Sequence, residues 1–262
     1  MKVKEIINIL NAAIPVKETW SKGESYGGFG IKNVNAEVKR ILYCVTPTYA
    51  VIDYFNEHKY DLLISHHPFV KNGVPMLVYH TALDCCKNGL NDMWKDYLEV
   101  KDAKHFDANL GWYGKIDPIP FNDLVAKVET FVGAKVKGLI YHNKKKPLVD
   151  SVVICTGLGG LVFGQAELTN ADVYITGELT HPSHGHFNGI IEVGHTLTEV
   201  IGIKLFRDLL PGIQIDPAPL SKDVFGSEVC LTLEGALSWE SKDSALTEEE
   251  EDLMNDTIFS TY

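Results

Sequence analysis

Apolar positions along the chain change period repeatedly, and the changes sort most of it into helices and strands. Val3, Ile7, Leu10 and Ile14 recur at helical spacing, which predicts an amphipathic helix that Pro15 helps to close. Residues 38–45 read as a strand and residues 49–58 as a helix. Leu62, Leu63 and Ile64 form a short apolar run that Ser65, His66, His67 and Pro68 end abruptly, so a buried strand delivers two imidazoles to its own C-terminal end. Strand, helix, strand in that order predicts a parallel crossover. Residues 76–80 give another apolar strand, and residues 81–84 turn the chain into a helix expected to run to about residue 98. Residues 101–115 read as a loop broken by Asn109, Gly111 and Gly114, and Asp117, Pro118 and Pro120 form the best linker in the chain.

A second cycle follows. Asn122 or Asp123 is expected to cap a helix through Phe131, with Leu124, Val128 and Phe131 on one face. Strands are expected at residues 136–141, 149–155, 172–176 and 190–193, and a helix carrying Val200, Leu205 and Leu209 continues to Pro211. This rhythm predicts an α/β fold of two subdomains with mainly parallel sheets, residues 1–119 and 120–262, part of the C-terminal tail packing back on the first. Further strands are expected near residues 213–215 and 229–233. The four glutamates at 248–251 suit either a last helix capped by Thr247 or a solvated tail.

Two glycine-rich stretches interrupt the pattern. Residues 20–30 read as a turn-forming loop, and residues 156–164 as a strand-to-helix junction that could cradle phosphate or simply make a tight turn. The second lacks the Gly-Lys-Ser/Thr ending of a phosphate loop, which favours the turn. The lysine run within residues 142–146 reads as a solvated hairpin tip.

Composition narrows the function classes. With 262 residues, 45% of them hydrophobic, the chain can bury a sizeable core, yet no apolar run reaches the length of a membrane helix. The N-terminus lacks the apolar core of a signal peptide, so the expected location is cytoplasmic. A net charge of -11 disfavours nonspecific nucleic-acid binding, which depends on Lys and Arg neutralising phosphates, while acidic side chains can favour divalent cations. The five cysteines contain no Cys-x-x-Cys pair, so neither a zinc knuckle nor a disulfide framework is indicated.

Three strand ends carry potential metal ligands: His66 and His67; Asp84, close behind His80; and His195 with Glu199. The last two are four residues apart at a helix start and therefore share a face. In open α/β sheets ligands bind at the C-terminal strand edge, where these groups fall. Imidazole and carboxylate together suit Zn, Fe, Mn or Ni.

The successive motifs Ile64-Ser-His66-His67-Pro68, His80-Thr-Ala-Leu-Asp84, Thr176-Gly177-Glu178 with His181, and Gly194-His195-Thr-Leu-Thr-Glu199 resemble those of the YbgI-like dinuclear metal-centre family, often labelled GTP cyclohydrolase I type 2-like. The matching order runs from about residue 1 to residue 210. The resemblance implies a two-metal site in a cleft between two α/β subdomains, with two divalent ions (Fe, Zn or Mn) on His66, His67, Asp84, His195 and Glu199, and ring-shaped homohexamers. It also implies a metal-dependent hydrolase of a nucleotide or cyclic amide, in which His181 or Glu178 shuttles a proton or orients a ligand. The alternative is a metal-binding scaffold or metal-trafficking protein without chemistry. The chain departs from the family pattern in the loop after Trp20 and in Pro182, which follows His181 where a second histidine is often found.

Overall fold

The computed structural model describes residues 1–15, 27–68, 73–107, 109–140, 146–179 and 186–219. Most of the first glycine-rich loop, residues 142–145, His181, His184, the expected strand at 229–233 and the glutamate run lie outside the described residues.

The chain opens with α1 (Val3–Ala13), which turns Val3, Ile6 and Leu10 inward. Ile6 takes the core position expected of Ile7, which is only partly buried. Gly27 to Phe29, expected in a loop, forms the short strand β1 (Gly27–Phe29). Then come β2 (Arg40–Cys44), α2 (Tyr49–Glu57), β3 (Leu62–Ser65) and β4 (Met76–Val78). Thr48 caps α2 by accepting from the Val51 amide.

Residues 81–84, expected to be a turn, form the short helix α3 (Thr81–Cys85), and the helix expected from there to about residue 98 begins only at Leu90, as α4 (Leu90–Tyr97). Asn88 at φ 61° turns the chain between them, and a Cβ on Gly89 would strike the Leu83 carbonyl. Helical periodicity persists across the break because both pieces bury apolar residues.

The loop expected over residues 101–115 is a hairpin of β5 (Lys101–Phe106) and β6 (Gly111–Ile119). β5 is an edge strand, mostly exposed and polar, so it shows no apolar alternation. The glycines read as breakers permit close approach: a Cβ on Gly111 would strike the Ile154 carbonyl, and one on Gly114 would come within 2.7 Å of the Val100 side chain. Asp117 and Pro118, expected in a linker, lie in β6, where the register with its neighbour shifts between Lys115 and Ile119 and a missing amide is tolerated.

Beyond it lie α5 (Phe121–Val132), β7 (Lys137–Ile140), β8 (Val149–Cys155), α6 (Phe163–Leu168), β9 (Val173–Thr176), β10 (Gly189–Glu192), α7 (His195–Glu199), α8 (Ile203–Leu209) and β11 (Gln214–Pro217). Pro120, with no side-chain cap, starts α5 where Asn122 or Asp123 was expected to cap it. The helix expected around Val200 is likewise split, by a 3-10 turn over Val200–Gly202.

Two sheets result. The first has the order β1-β4-β3-β2-β11, parallel except for β1. The second has the order β5-β6-β8-β9-β10-β7, with a parallel centre, β8-β9-β10, and antiparallel flanks. Each is covered on both faces, which is why its central strands contain unbroken apolar runs in place of strict alternation. In the first, Ile41, Tyr43, Leu62 and Ile64 pack with residues of α1 and α8, while Leu42 and Leu63 pack on the other face with Ile52 and Phe55 of α2. In the second, Val152, Ile154, Val173 and Ile175 pack with Trp94 of α4 and with Leu124 and Val128 of α5, while Val153 and Tyr174 meet Phe163 and Phe187. Among the described residues no helix is long and apolar enough to cross a membrane.

Candidate metal centre

The two sheets meet at their C-terminal strand edges. Parallel pairing of β3 with β2 and β4 carries His66 and His67 just past the end of β3, and His80, two residues beyond β4, begins α3 with Asp84 in its first turn. From the second sheet, β10 runs through Val193 and Gly194 (φ 104°) into α7, which starts at His195.

Glu199 is the hub. Its Oε1 lies 3.1 Å from His195 Nε2 and 3.4 Å from His66 Nε2, and its Oε2 lies 3.5 Å from His67 Nε2. Asp84 Oδ2 is 3.7 Å from His66 Nε2. The five residues singled out as ligands from the sequence are therefore gathered together. They form two sets that share Glu199, His66-Asp84-Glu199 and His67-His195-Glu199, each with ligand atoms within 4.8 Å of one another. A third set, His66-His67-His80, adds a histidine given no ligand role by sequence reasoning, although its place at a strand end signalled it.

The side chains of His66, His67, His195 and Asp84, and the backbone of Glu199, are held from outside, as ligands are in metal centres. His66 Nδ1 lies 3.0 Å from the Tyr79 carbonyl, which can only accept, so Nδ1 carries a proton and Nε2 is the nitrogen that faces the cluster. Thr46 Oγ1 is 2.8 Å from His67 Nδ1, and Glu178 Oε2 is 3.2 Å from His195 Nδ1. The Thr156 hydroxyl donates to Asp84 Oδ1 at 2.8 Å, leaving Oδ2 for the cluster. The Tyr43 hydroxyl donates to the Glu199 carbonyl. Of these outer groups only Glu178 was legible beforehand. His186, the one of the nearby histidines that is described, has its backbone amide on Glu167, and His181 is outside the described residues.

The glycine-rich junction after β8 is a turn. The amides of Thr156, Gly157, Gly159 and Gly160 donate to Asn91 Oδ1, Thr198 Oγ1, the Gly157 carbonyl and the Glu178 carbonyl, so none of them is left for phosphate. Gly157, at φ 63°, closes over the cluster: a Cβ there would strike Glu199 Oε1 and lie 3.3 Å from His195 Nε2.

Electrostatically the site is a well for positive charge. Burial opposes charging His66 and His195, yet Glu199, assisted by Asp84 at the first and Glu178 at the second, raises them to about 8 and about 10. Burial pushes His67 below the ordinary imidazole range and raises Asp84. Burial also opposes ionisation of Glu199, but the His66, His195 and His67 imidazoles outweigh it and hold the carboxyl well below its usual range. A divalent cation would exploit the same field. The buried His66 Nε2 and Glu199 Oε2 have no hydrogen-bond partner among the described residues, an arrangement that is costly in a closed core and suited to a cation. The donor set fits a metal.

With fold and site in view, the chain can be placed. The family model Duf34/NIF3 (NGG1p interacting factor 3) matches residues 1–71 and 69–216, and the chain belongs to that family. It is 29% identical over 238 residues to a GTP cyclohydrolase 1 type 2 homolog of Methanocaldococcus jannaschii, covering 80% of this chain and 95% of the relative. A homolog of the same description in Clostridium perfringens is 24% identical, covering 76% of this chain and 87% of the relative. Among solved structures, reduced HcgD from M. jannaschii superposes with a TM-score of 0.71 at 23% identity, over 84% of this chain and 98% of that one. The protein ybgI, of unknown function, does so with a TM-score of 0.71 at 20% identity, over 85% of this chain and 99% of that one. These two likenesses establish the fold.

Proposed function

We propose that the chain is a dinuclear metal-dependent hydrolase acting on a small molecule, a nucleotide or cyclic amide. One observation carries the reading: Glu199 is the member common to both carboxylate-bearing sets, its Oε1 within 3.4 Å of His66 Nε2 and 3.1 Å of His195 Nε2 and its Oε2 3.5 Å from His67 Nε2, a position from which one carboxylate could serve two ions. His66 with Asp84, and His67 with His195, would each hold one ion alongside it. Divalent cations bound there would supply Lewis acidity to a substrate oxygen and lower the pKa of a water nucleophile. The chain's own groups do the rest. Glu178 keeps the His195 proton on Nδ1, so that Nε2 faces the ions, and Thr156 fixes which Asp84 oxygen is offered. His67, partly exposed, marks the side from which substrate would enter.

The substrate class draws support from the name of the curated relatives, GTP cyclohydrolase 1 type 2 homolog, and the choice among Fe, Zn and Mn from the mixed imidazole and carboxylate donors. The family resemblance extends the proposal to a cytoplasmic homohexamer, which light scattering of the purified chain tests. Elemental analysis gives the metal count, expected to be two per chain and lost in Glu199→Ala. A panel of nucleotides, phosphoesters and cyclic amides, assayed with Mn, Fe and Zn in turn, should reveal an activity that chelation removes and metal restores. Full activity in rigorously metal-free protein defeats the reading.

A further inference from the structure

We propose that His80 completes an alternative metal station with His66 and His67, made of three imidazoles and no carboxylate, which takes one nitrogen-preferring cation such as Cu²⁺ per chain. The proposal rests on the metal-centre reading only in taking His66 and His67 as ligands, and it is independent of hydrolysis.

The placement follows from the first sheet. β3 and β4 are parallel neighbours, so the residues just past their ends emerge side by side at one sheet edge. The His80 ring stands edge-on to both others, its centroid 5.1 Å from that of His66 and 5.3 Å from that of His67, and the ligand nitrogens of the three lie within 4.8 Å of one another. His66 is buried and its Nε2 has no hydrogen-bond partner among the described residues, while His67 and His80 are partly exposed, so the station opens to solvent on their side.

Sharing makes the two modes exclusive. An imidazole nitrogen has one lone pair, so a cation held by His66, His67 and His80 withdraws two ligands from the carboxylate-bearing sets. The modes also differ in taste. Carboxylate oxygens suit Mn²⁺, whereas three imidazole nitrogens suit Cu²⁺ or Ni²⁺. The metal offered therefore decides whether the chain loads through Glu199 or through His80.

Glu199→Ala removes the member common to both carboxylate-bearing sets. That variant should take up no Mn²⁺ yet bind one equivalent of Cu²⁺, with an electron paramagnetic resonance spectrum showing coupling to three nitrogens. Adding His80→Ala should reduce the coupled nitrogens to two, while adding His195→Ala should change nothing. The station is overturned if the count survives loss of His80, if it falls with loss of His195 instead, or if folded Glu199→Ala binds no copper. Should Glu199→Ala not fold, His80→Ala in the otherwise unchanged chain decides: at one copper equivalent the nitrogen count must fall while Mn²⁺ uptake persists, and an unchanged count overturns the station. Mn²⁺ uptake by the unsubstituted chain is read in the same series, so failure of the carboxylate-bearing sets is seen separately.

Discussion

The hydroxyl of Tyr43, on the first sheet, donates to the backbone carbonyl of Glu199, at the end of α7, at 3.0 Å. The Trp94 indole likewise donates to the Thr198 carbonyl at 3.1 Å. α7 is only 5 residues long, too short to hold its own orientation, so these donors aim the hub carboxylate.

Tyr43→Phe keeps the ring and removes the donor. The buried carbonyl loses its side-chain partner, which should cost about 1–3 kcal/mol of stability in denaturant unfolding. Metal affinity, measured by calorimetry, should fall as well because Glu199 is less well aimed. Unchanged stability and affinity would show that Tyr43 has no part in holding α7.

Glu178→Gln tests the support of His195. The amide can still accept a hydrogen bond but no longer carries charge, so metal affinity should drop about 10–100-fold while stoichiometry stays the same. Loss of a whole equivalent would instead make Glu178 a ligand.

Gly157→Ala places a methyl group against Glu199 Oε1 at a positive φ. Backbone strain should cost roughly 1–2 kcal/mol. The larger effect falls on the cluster: elemental analysis of the folded variant should find its metal content sharply reduced, and a wild-type content would mean that Glu199 has room to move aside.

The metal-free protein should depend on pH in a defined direction. His66 and His195 have folded values of about 8 and about 10, both raised from 6.5. Their contribution to stability is complete below the unfolded value and is lost as pH rises through about 8 and then about 10. The Glu199 carboxyl is depressed, so its contribution is present above the unfolded value of 4.5 and fades as pH falls through the lower folded one. His67, lowered by burial, works against stability on acidification. A cation must displace the protons on His66 and His195, so metal affinity should climb with pH across the alkaline window. Imidazole NMR titration with and without Zn²⁺ measures both, and affinity that falls as pH rises contradicts the assignment.

How much of this could be read in advance differs by element. β3, β8, β9 and β10 were visible because both faces of each are covered, so each contains a short unbroken apolar run. The β5-β6 hairpin was not, because an exposed edge strand has no apolar period and its glycines answer to neighbouring backbone rather than to a turn. The break between α3 and α4 was hidden for the converse reason: apolar spacing continues through a turn made at Asn88, with φ 61°, and at Gly89, where a side chain would meet the Leu83 carbonyl.

The sequence by itself offered the candidate donor set, since strand ends are local features: His66 and His67 stand just beyond one, and Asp84, His195 and Glu199 lie in the short helices that follow two others. It also determined the His195–Glu199 pair, because helical spacing sets which side chains share a face. Only the tertiary structure decided that Glu199 stands between the sets, that Thr46, Thr156, Glu178 and the Tyr79 carbonyl orient the ligands, and that His80 joins His66 and His67. The reason is physical: those relationships join residues far apart in the chain, and no local period records which strand edges will face each other once both sheets are packed.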